Sequence, residues 1–262
     1  MTLMGVVARS LAATLEMALP TLCGGCGAPG PPWCPMCARE AARATSPGPR
    51  PVLPTPCPRG LPPTWAAGPY DAATRAALVA FKDGDRRDLT MVLAPMLSRA
   101  VGAALAEDRY LRAVLASGNG PLFVVPVPSS TAAVRRRGDA PLELMTRACV
   151  AQMACSRAEL IVTPALRLCR RVADQAGLDH RQRAANLEGA MQVRSRWRDC
   201  VQGVTCLLVD DVLTTGATLV EAARALRAAG AAHVAAATVA ATQRHVAPAG
   251  VRVGVGDLEQ GS

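Results

Sequence analysis

The chain has 262 residues, half of them apolar and 3% aromatic, with a formal net charge of +9 and a pI near 9.4. That length suits one core domain plus something smaller, with a core built from Ala, Val and Leu. The basic balance favours anionic ligands such as phosphates and permits nucleic acid, while scarce aromatics argue against a base-stacking groove.

Met1 to Leu19 reads as an amphipathic helix ended by Pro20. Arg9 and Glu16 interrupt it and no positive n-region precedes it, so it is not read as a signal peptide. No stretch is long and uncharged enough to be read as a membrane span. Cys23-Gly-Gly-Cys26 and Cys34-Pro-Met-Cys37 follow. Two such knuckles bring four thiolates within tetrahedral reach of one Zn²⁺, and a Cys₄ site is structural because it leaves no open position. A segment this short has no core of its own, so the metal is expected to supply its folding energy. The other readings, a redox CxxC or paired disulfides, fit less well: a redox motif opens a helix in a βαβ unit and needs no second pair.

Of the ten cysteines, those outside this cluster read as isolated, core-like thiols, which fits a reducing, cytoplasmic setting. Cys57 stands alone in a Pro- and Gly-rich segment, Ala44 to Pro63, read as a linker. The expected division is therefore residues 1–63, a helix, zinc module and linker, and residues 64–262, an α/β domain.

From Thr64 onward, strand and helix patterns alternate. Thr64 to Tyr70 reads as a short strand, Asp71 to Phe81 as a helix closed by Lys82-Asp83-Gly84, and Arg87 to Leu105 as a second helix kinked or broken at Pro95. Lys82 is the only lysine among 29 basic residues, so the abundance of arginine reads as coding bias more than function. Asp108 to Gly120 reads as a loop. Pro121 to Val127 is a buried strand ending at Pro126 and Pro128, followed by a polar turn at Ser129, Ser130 and Thr131 and the basic run Arg135 to Arg137. A helix spans about Ala140 to Met153. Arg181, Arg183 and Asn186 lie in or beside another. The last strand covers about His233 to Ala241, and the tail from Arg244 has few anchors. Such alternation predicts a parallel sheet covered on both faces, with ligands beyond the carboxyl ends of its strands.

The most informative stretch is Val204 to Gly230. An apolar run from Val204 to Val209 ends in Asp210 and Asp211. Thr214, Thr215, Gly216, Ala217 and Thr218 follow, and then an Ala/Leu-rich helix. The orphan N–H groups and dipole of a helix N-terminus favour an anion there. Two carboxylates beside a phosphate cradle suit the hydroxyls of a sugar, or a divalent cation, rather than the phosphate itself. A helix cap needs one polar residue, whereas five crowd this corner. The three histidines, His180, His233 and His245, form no constellation.

Val209 to Leu219, VDDVLTTGATL, resembles the PRPP-binding loop of type I phosphoribosyltransferases. The wider pattern resembles the ComF family: the double CxxC, Pro126 to Pro128, Arg135 to Gly138, and Asp174-Gln175 with Arg183 and Asn186. The resemblance implies a type I phosphoribosyltransferase-like α/β fold and binding of PRPP or a nucleotide with Mg²⁺. It also implies transfer of the phosphoribosyl group to an acceptor. Asp210 and Asp211 would be the catalytic pair on the ribose hydroxyls, and Thr214 to Thr218 would hold the 5-phosphate. Ser129, Ser130, Arg135, Arg136 and Arg137 would face pyrophosphate. The alternative it implies is a non-catalytic DNA-uptake accessory, with single-stranded DNA or a competence helicase as partner. The sequence departs from the pattern at Asp139, where Asn is usual, at Val172 of the Thr-x-x-Gln motif, and at Cys57, left from a second cysteine pair.

Overall fold

The computed structural model describes residues 21–118, 120–128, 140–153, 159–170 and 186–242. The expectations for the helix Met1 to Leu19, for His180, Arg181, Arg183, Asp174 and Gln175, and for the tail from Arg244 lie outside the described residues. So do those for Ser129, Ser130 and Arg135 to Arg137.

The elements in chain order are α1 (Pro35–Ala44), β1 (Arg50–Pro51), β2 (Thr64–Pro69), α2 (Ala72–Asp83), α3 (Thr90–Glu107), α4 (Arg109–Ser117) and β3 (Leu122–Pro126). They continue with α5 (Pro141–Gln152), β4 (Leu160–Val162), β5 (Leu166–Leu168), β6 (Met191–Val193), α6 (Arg198–Val201), β7 (Thr205–Leu213), α7 (Ala217–Ala228) and β8 (His233–Ala241). Among the described residues, six strands form one sheet in the order β1-β2-β8-β7-β3-β4. Every pairing is parallel except β1 with β2. The expected mixed α/β architecture is what the chain adopts.

The central strands are apolar over most of their length because helices cover both faces. β3 is buried over its whole length, and β8 is buried from Val234 to Ala241. Small side chains on β8 let α3 approach closely: Ala235, Ala236 and Ala237 are fully covered. On one face α3 packs on β2 and β8 and against α5, while α7 lies over β5, β6, β7 and β8. Helix α3 runs unbroken through Pro95, where a kink or break was expected. Residues 87–107 are long and apolar enough to cross a membrane, but half of the stretch is buried in the fold.

Asp108 to Gly120 is mostly a helix rather than the expected loop. The Asp108 carboxylate accepts from the Tyr110 and Leu111 N–H groups, at 2.9 and 3.0 Å, and so caps α4. Its other oxygen lies 3.1 Å from His233 Nε2, and the Tyr110 ring sits over His233. His233 begins β8, at the amino edge of the sheet, so this group joins α4 to the sheet away from the carboxyl edge.

The segment read as a linker contributes β1, whose Arg50 lies opposite Ala66, and Val52 is buried in the core. The cysteine segment is also fastened to the sheet domain. Arg99 donates to the hydroxyl and carbonyl of buried Thr45, at 2.9 Å each, and Arg86 donates to the Leu22 carbonyl at 2.7 Å.

Candidate ligand site and cysteine cluster

Strand order fixes where a ligand crevice opens. From β3 the chain crosses outward to β4, and from β7 it crosses the other way to β8. The adjacent strands β3 and β7 are thus the switch point, and the loops leaving their carboxyl ends diverge to opposite faces. Pro126 pairs with Val209, and Val127 N–H donates to the Val209 carbonyl at 2.9 Å. Residue 128, where the expected pyrophosphate loop begins, therefore leaves the sheet beside Asp210.

β7 extends four residues beyond the predicted end, through both aspartates to Leu213. Asp210 lies opposite Thr238 of β8. Each carboxylate turns back on the chain: Asp211 N–H donates to Asp210 Oδ1, and Val212 N–H to Asp211 Oδ1, both at 2.9 Å. Neither carboxylate stands open to solvent. Asp210 is 8% exposed and Asp211 6%.

What covers Asp211 in part is Lys82, whose ammonium pairs with Asp211 Oδ2 from the last turn of α2. Asp71 caps α2 at its start by accepting from Thr74 N–H at 2.9 Å, next to the carboxyl end of β2. The helix thus begins and ends along the carboxyl edge of the sheet, which is how it carries Lys82 to β7. Burial pushes the Asp210 carboxyl well above the ordinary range, and the neighbouring Asp211 charge adds to this, while Lys82 opposes it. Burial pulls the Lys82 ammonium down, but Asp211 and Asp210 outweigh it and hold Lys82 above its ordinary value. Sequence reasoning gave Lys82 no role at the site; the available signal was its being the chain's single lysine.

The corner beyond β7 has the form a phosphate site needs. Gly216 adopts φ 79° and starts α7, with no side-chain cap and no acidic residue in the first turn. Thr215 Oγ1 accepts from Ala217 N–H at a long 3.4 Å. The first-turn N–H groups and the dipole thus carry no competing negative charge. Thr214, Thr215 and Thr218 are half-buried around it. A Cβ on Gly216 would meet Leu61 Cδ1 at 2.9 Å and Pro58 Cγ at 3.2 Å, so the Pro-rich segment backs the loop. Arg227 fixes that segment by donating to the Gly60 carbonyl at 2.8 Å.

Sequence reading found no strands in the antiparallel pair β5–β6. It is tied to α7 by Glu221, 4% exposed, which accepts from Met191 N–H at 2.8 Å and pairs with Arg224 at 2.7 Å. A groove of about 780 Å³, lined by Met191, Gln192, Arg198, Asp199 and Arg224 among others, opens along β6, α6 and the far end of α7. It does not include the carboxylates, so site chemistry and cavity volume point to different places. The chemistry locates the candidate site, because the groove offers no comparable set of convergent groups.

The four N-terminal cysteines converge. Their sulfurs lie within 4.8 Å of one another, the sole such metal-ligand group among the described residues. Cys23 and Cys37 are separated by 3.7 Å, Cys26 and Cys34 by 3.8 Å. A Zn–S bond of about 2.3 Å places tetrahedral sulfurs about 3.8 Å apart, so the cluster could hold a zinc ion. Gly25 and Cys34 N–H groups point at Cys23 Sγ, at 3.4 and 3.3 Å. Burial raises the Cys23 thiol, but the N–H groups of Cys26, Cys34 and Gly25 outweigh it and bring it down to about 6. Burial and the neighbouring sulfurs push Cys37 up, so four thiolates need a cation among them.

Cys57 is exposed and lies outside the cluster. Of the cysteines expected in the core, Cys149 and Cys206 are buried, and burial pushes Cys206 up to about 12. Cys169 and Cys200 are exposed instead, and Cys155 lies outside the described residues.

With this geometry in place, comparison with known families bears on the second half of the chain. Residues 172–249 match the phosphoribosyl transferase domain. The match contains β7, the corner at Thr214 to Thr218, α7 and β8, and it leaves out Lys82, β3 and the cysteine cluster. No curated protein matches the chain. Among the described residues the fold is thus a mostly parallel six-stranded α/β sheet with a Cys₄ cluster ahead of it, and residues 172–249 are similar to the phosphoribosyl transferase domain.

Proposed function

We propose that this chain is a ComF-like phosphoribosyltransferase-fold protein that binds PRPP or a nucleotide with Mg²⁺. Its reaction is transfer of the phosphoribosyl group to a base or amine. The observation that carries this is the sequence of groups at the end of β7: two carboxylates, then a helix N-terminus with a glycine cap and no acidic residue in its first turn, at the switch point of a mostly parallel sheet. Helix-terminal N–H groups and Thr214, Thr215 and Thr218 take the 5-phosphate. Asp210 and Asp211 accept hydrogen bonds from the ribose hydroxyls.

In the transfer, the C1–O bond to pyrophosphate breaks and a C1–N bond to the acceptor forms. Carboxylates beneath the ribose tolerate positive charge developing on the sugar. Mg²⁺ bound with PRPP beside Asp210 and Asp211 would supply charge neutralisation at the leaving group, and carboxylate and phosphate oxygens are the partners that so hard a cation prefers. Ser129, Ser130 and Arg135 to Arg137 belong to the pyrophosphate side. Residues 1–63 act as a zinc-held module and brace, with Zn²⁺ on Cys23, Cys26, Cys34 and Cys37, and residues 64–262 carry the ligand.

Calorimetry on zinc-loaded protein tests this reading. Saturable heat with PRPP that requires Mg²⁺ supports it, and no heat with PRPP or any nucleoside monophosphate refutes it. Salt-sensitive retention of single-stranded DNA that survives Asp210→Asn, with no PRPP heat, would assign the chain to the DNA-uptake accessory role instead.

A further inference from the structure

Lys82 holds a position that charge alone does not explain. Every other basic residue in the chain is arginine, although Lys and Arg together number 29. An arginine at a carboxylate makes a planar two-bond fork and locks it. An ammonium is a compact charge on a flexible four-carbon stem, so it can exchange one oxygen partner for another. The Lys82 side chain is 46% exposed while that of Asp211 is 9% exposed, so the stem has a path outward that the carboxylate lacks.

Among the described residues, this ammonium feels Asp211 and Asp210 from β7 and, more weakly, Asp83 from its own helix. Among the described residues, one cation there stands against three acidic side chains. A ligand carrying phosphates must overcome that field, and it also needs the Asp211 oxygen that Lys82 occupies.

Resting on the sugar-phosphate reading above, we propose that Lys82 is a ligand-binding residue that exchanges Asp211 for an anionic oxygen of the bound sugar phosphate. One movement does two things. It frees Asp211 Oδ2 to accept from a ribose hydroxyl, and it turns the resident cation toward the incoming negative charge. Without the exchange, Asp211 Oδ2 stays occupied by Lys82.

Two measurements test the exchange. In the first, calorimetry compares PRPP and ribose 5-phosphate on wild-type protein and Lys82→Met. Loss of one charge-assisted hydrogen bond weakens binding about tenfold or more. A loss confined to PRPP places Lys82 on the diphosphate, and a loss shared with ribose 5-phosphate places it on the 5-phosphate; both support the exchange. A variant that binds as tightly as wild type, or more tightly, overturns it while leaving the sugar-phosphate reading intact. A wild-type chain that binds neither ligand overturns both.

The second measurement needs no variant, which matters if removing the cation unfolds the corner. Because Lys82 is the single lysine, acylation of side-chain amines reports on it alone. Saturating PRPP with Mg²⁺ is expected to slow that acylation at least fivefold. An unchanged or faster rate with ligand bound contradicts the exchange.

Discussion

Gly216, the N-cap of α7, lies directly against Leu61 of the Pro-rich segment: a Cβ at 216 would stand 2.9 Å from Leu61 Cδ1. The residue has φ 79°, where an L side chain is itself strained. Gly216→Ala thus meets two penalties, a left-handed backbone and an overpacked contact. Together they amount to about 2 kcal/mol or more. Urea unfolding is expected to show a lowered midpoint with the same slope. An unchanged midpoint would mean that the segment does not brace the loop.

Asp210 links function to instability. Its folded-state carboxyl is held above the ordinary range by burial and by Asp211, so the folded chain keeps a proton that the unfolded chain releases. Folding stability contributed by this group therefore falls as pH rises from the ordinary aspartate range toward the raised value, and the penalty is complete above it. Asp210→Asn removes the penalty and leaves Lys82 paired with Asp211. The variant is expected to be more stable than wild type at pH 7, by about 1 kcal/mol or more, with the gap closing in acid. It is also expected to lose PRPP binding. Equal stability across pH 4 to 8 would contradict the assignment.

Glu221 has the opposite sign. Burial raises its carboxyl, but Arg224 and the Met191 N–H outweigh that and hold it below the ordinary value. Its contribution is present at neutral pH and is lost as pH falls through the lowered value. Glu221→Ala leaves the Met191 N–H unpaired and is expected to cost about 2 kcal/mol. Hydrogen exchange at Met191 should accelerate more than exchange in β7. Uniform acceleration, or none, would show that β5–β6 is not anchored through this residue.

Removing zinc should act locally first. With the four sulfurs within 4.8 Å of one another and two of them buried, loss of the ion leaves thiolates that repel or must take protons. Chelation, or Cys26→Ser with Cys34→Ser, is expected to abolish exchange protection across residues 21–45 while β7 and β8 remain protected. Metal content should fall from one equivalent to none. Retained protection in the metal-free protein would contradict a metal-held module.

Much of this architecture was legible because its signals are local. The run from Val204 to Val209 and the five polar residues Asp210, Asp211, Thr214, Thr215 and Thr218 mark a strand and a helix start without any tertiary information. The double CxxC spacing likewise brought four sulfurs together as expected. The end of β7 was misplaced because carboxylates disfavour a strand by propensity, whereas pairing of Val212 and Leu213 with β8 extends it. α4 was missed because Asp108 reads equally as a turn residue or a cap until its two N–H partners are seen. β5 and β6 are each three residues long, and their pairing joins segments more than twenty residues apart. Lys82 could not be placed at the site from sequence, because its contact with Asp211 spans the width of two strands.

The most direct test is a crystal structure of the zinc-loaded protein grown with PRPP and Mg²⁺. The account predicts the 5-phosphate on the N–H groups at Gly216 to Thr218, ribose hydroxyls on Asp210 and Asp211, and Lys82 turned away from Asp211. PRPP lodged in the groove by Arg198 and Arg224, with Lys82 still paired to Asp211, would contradict it.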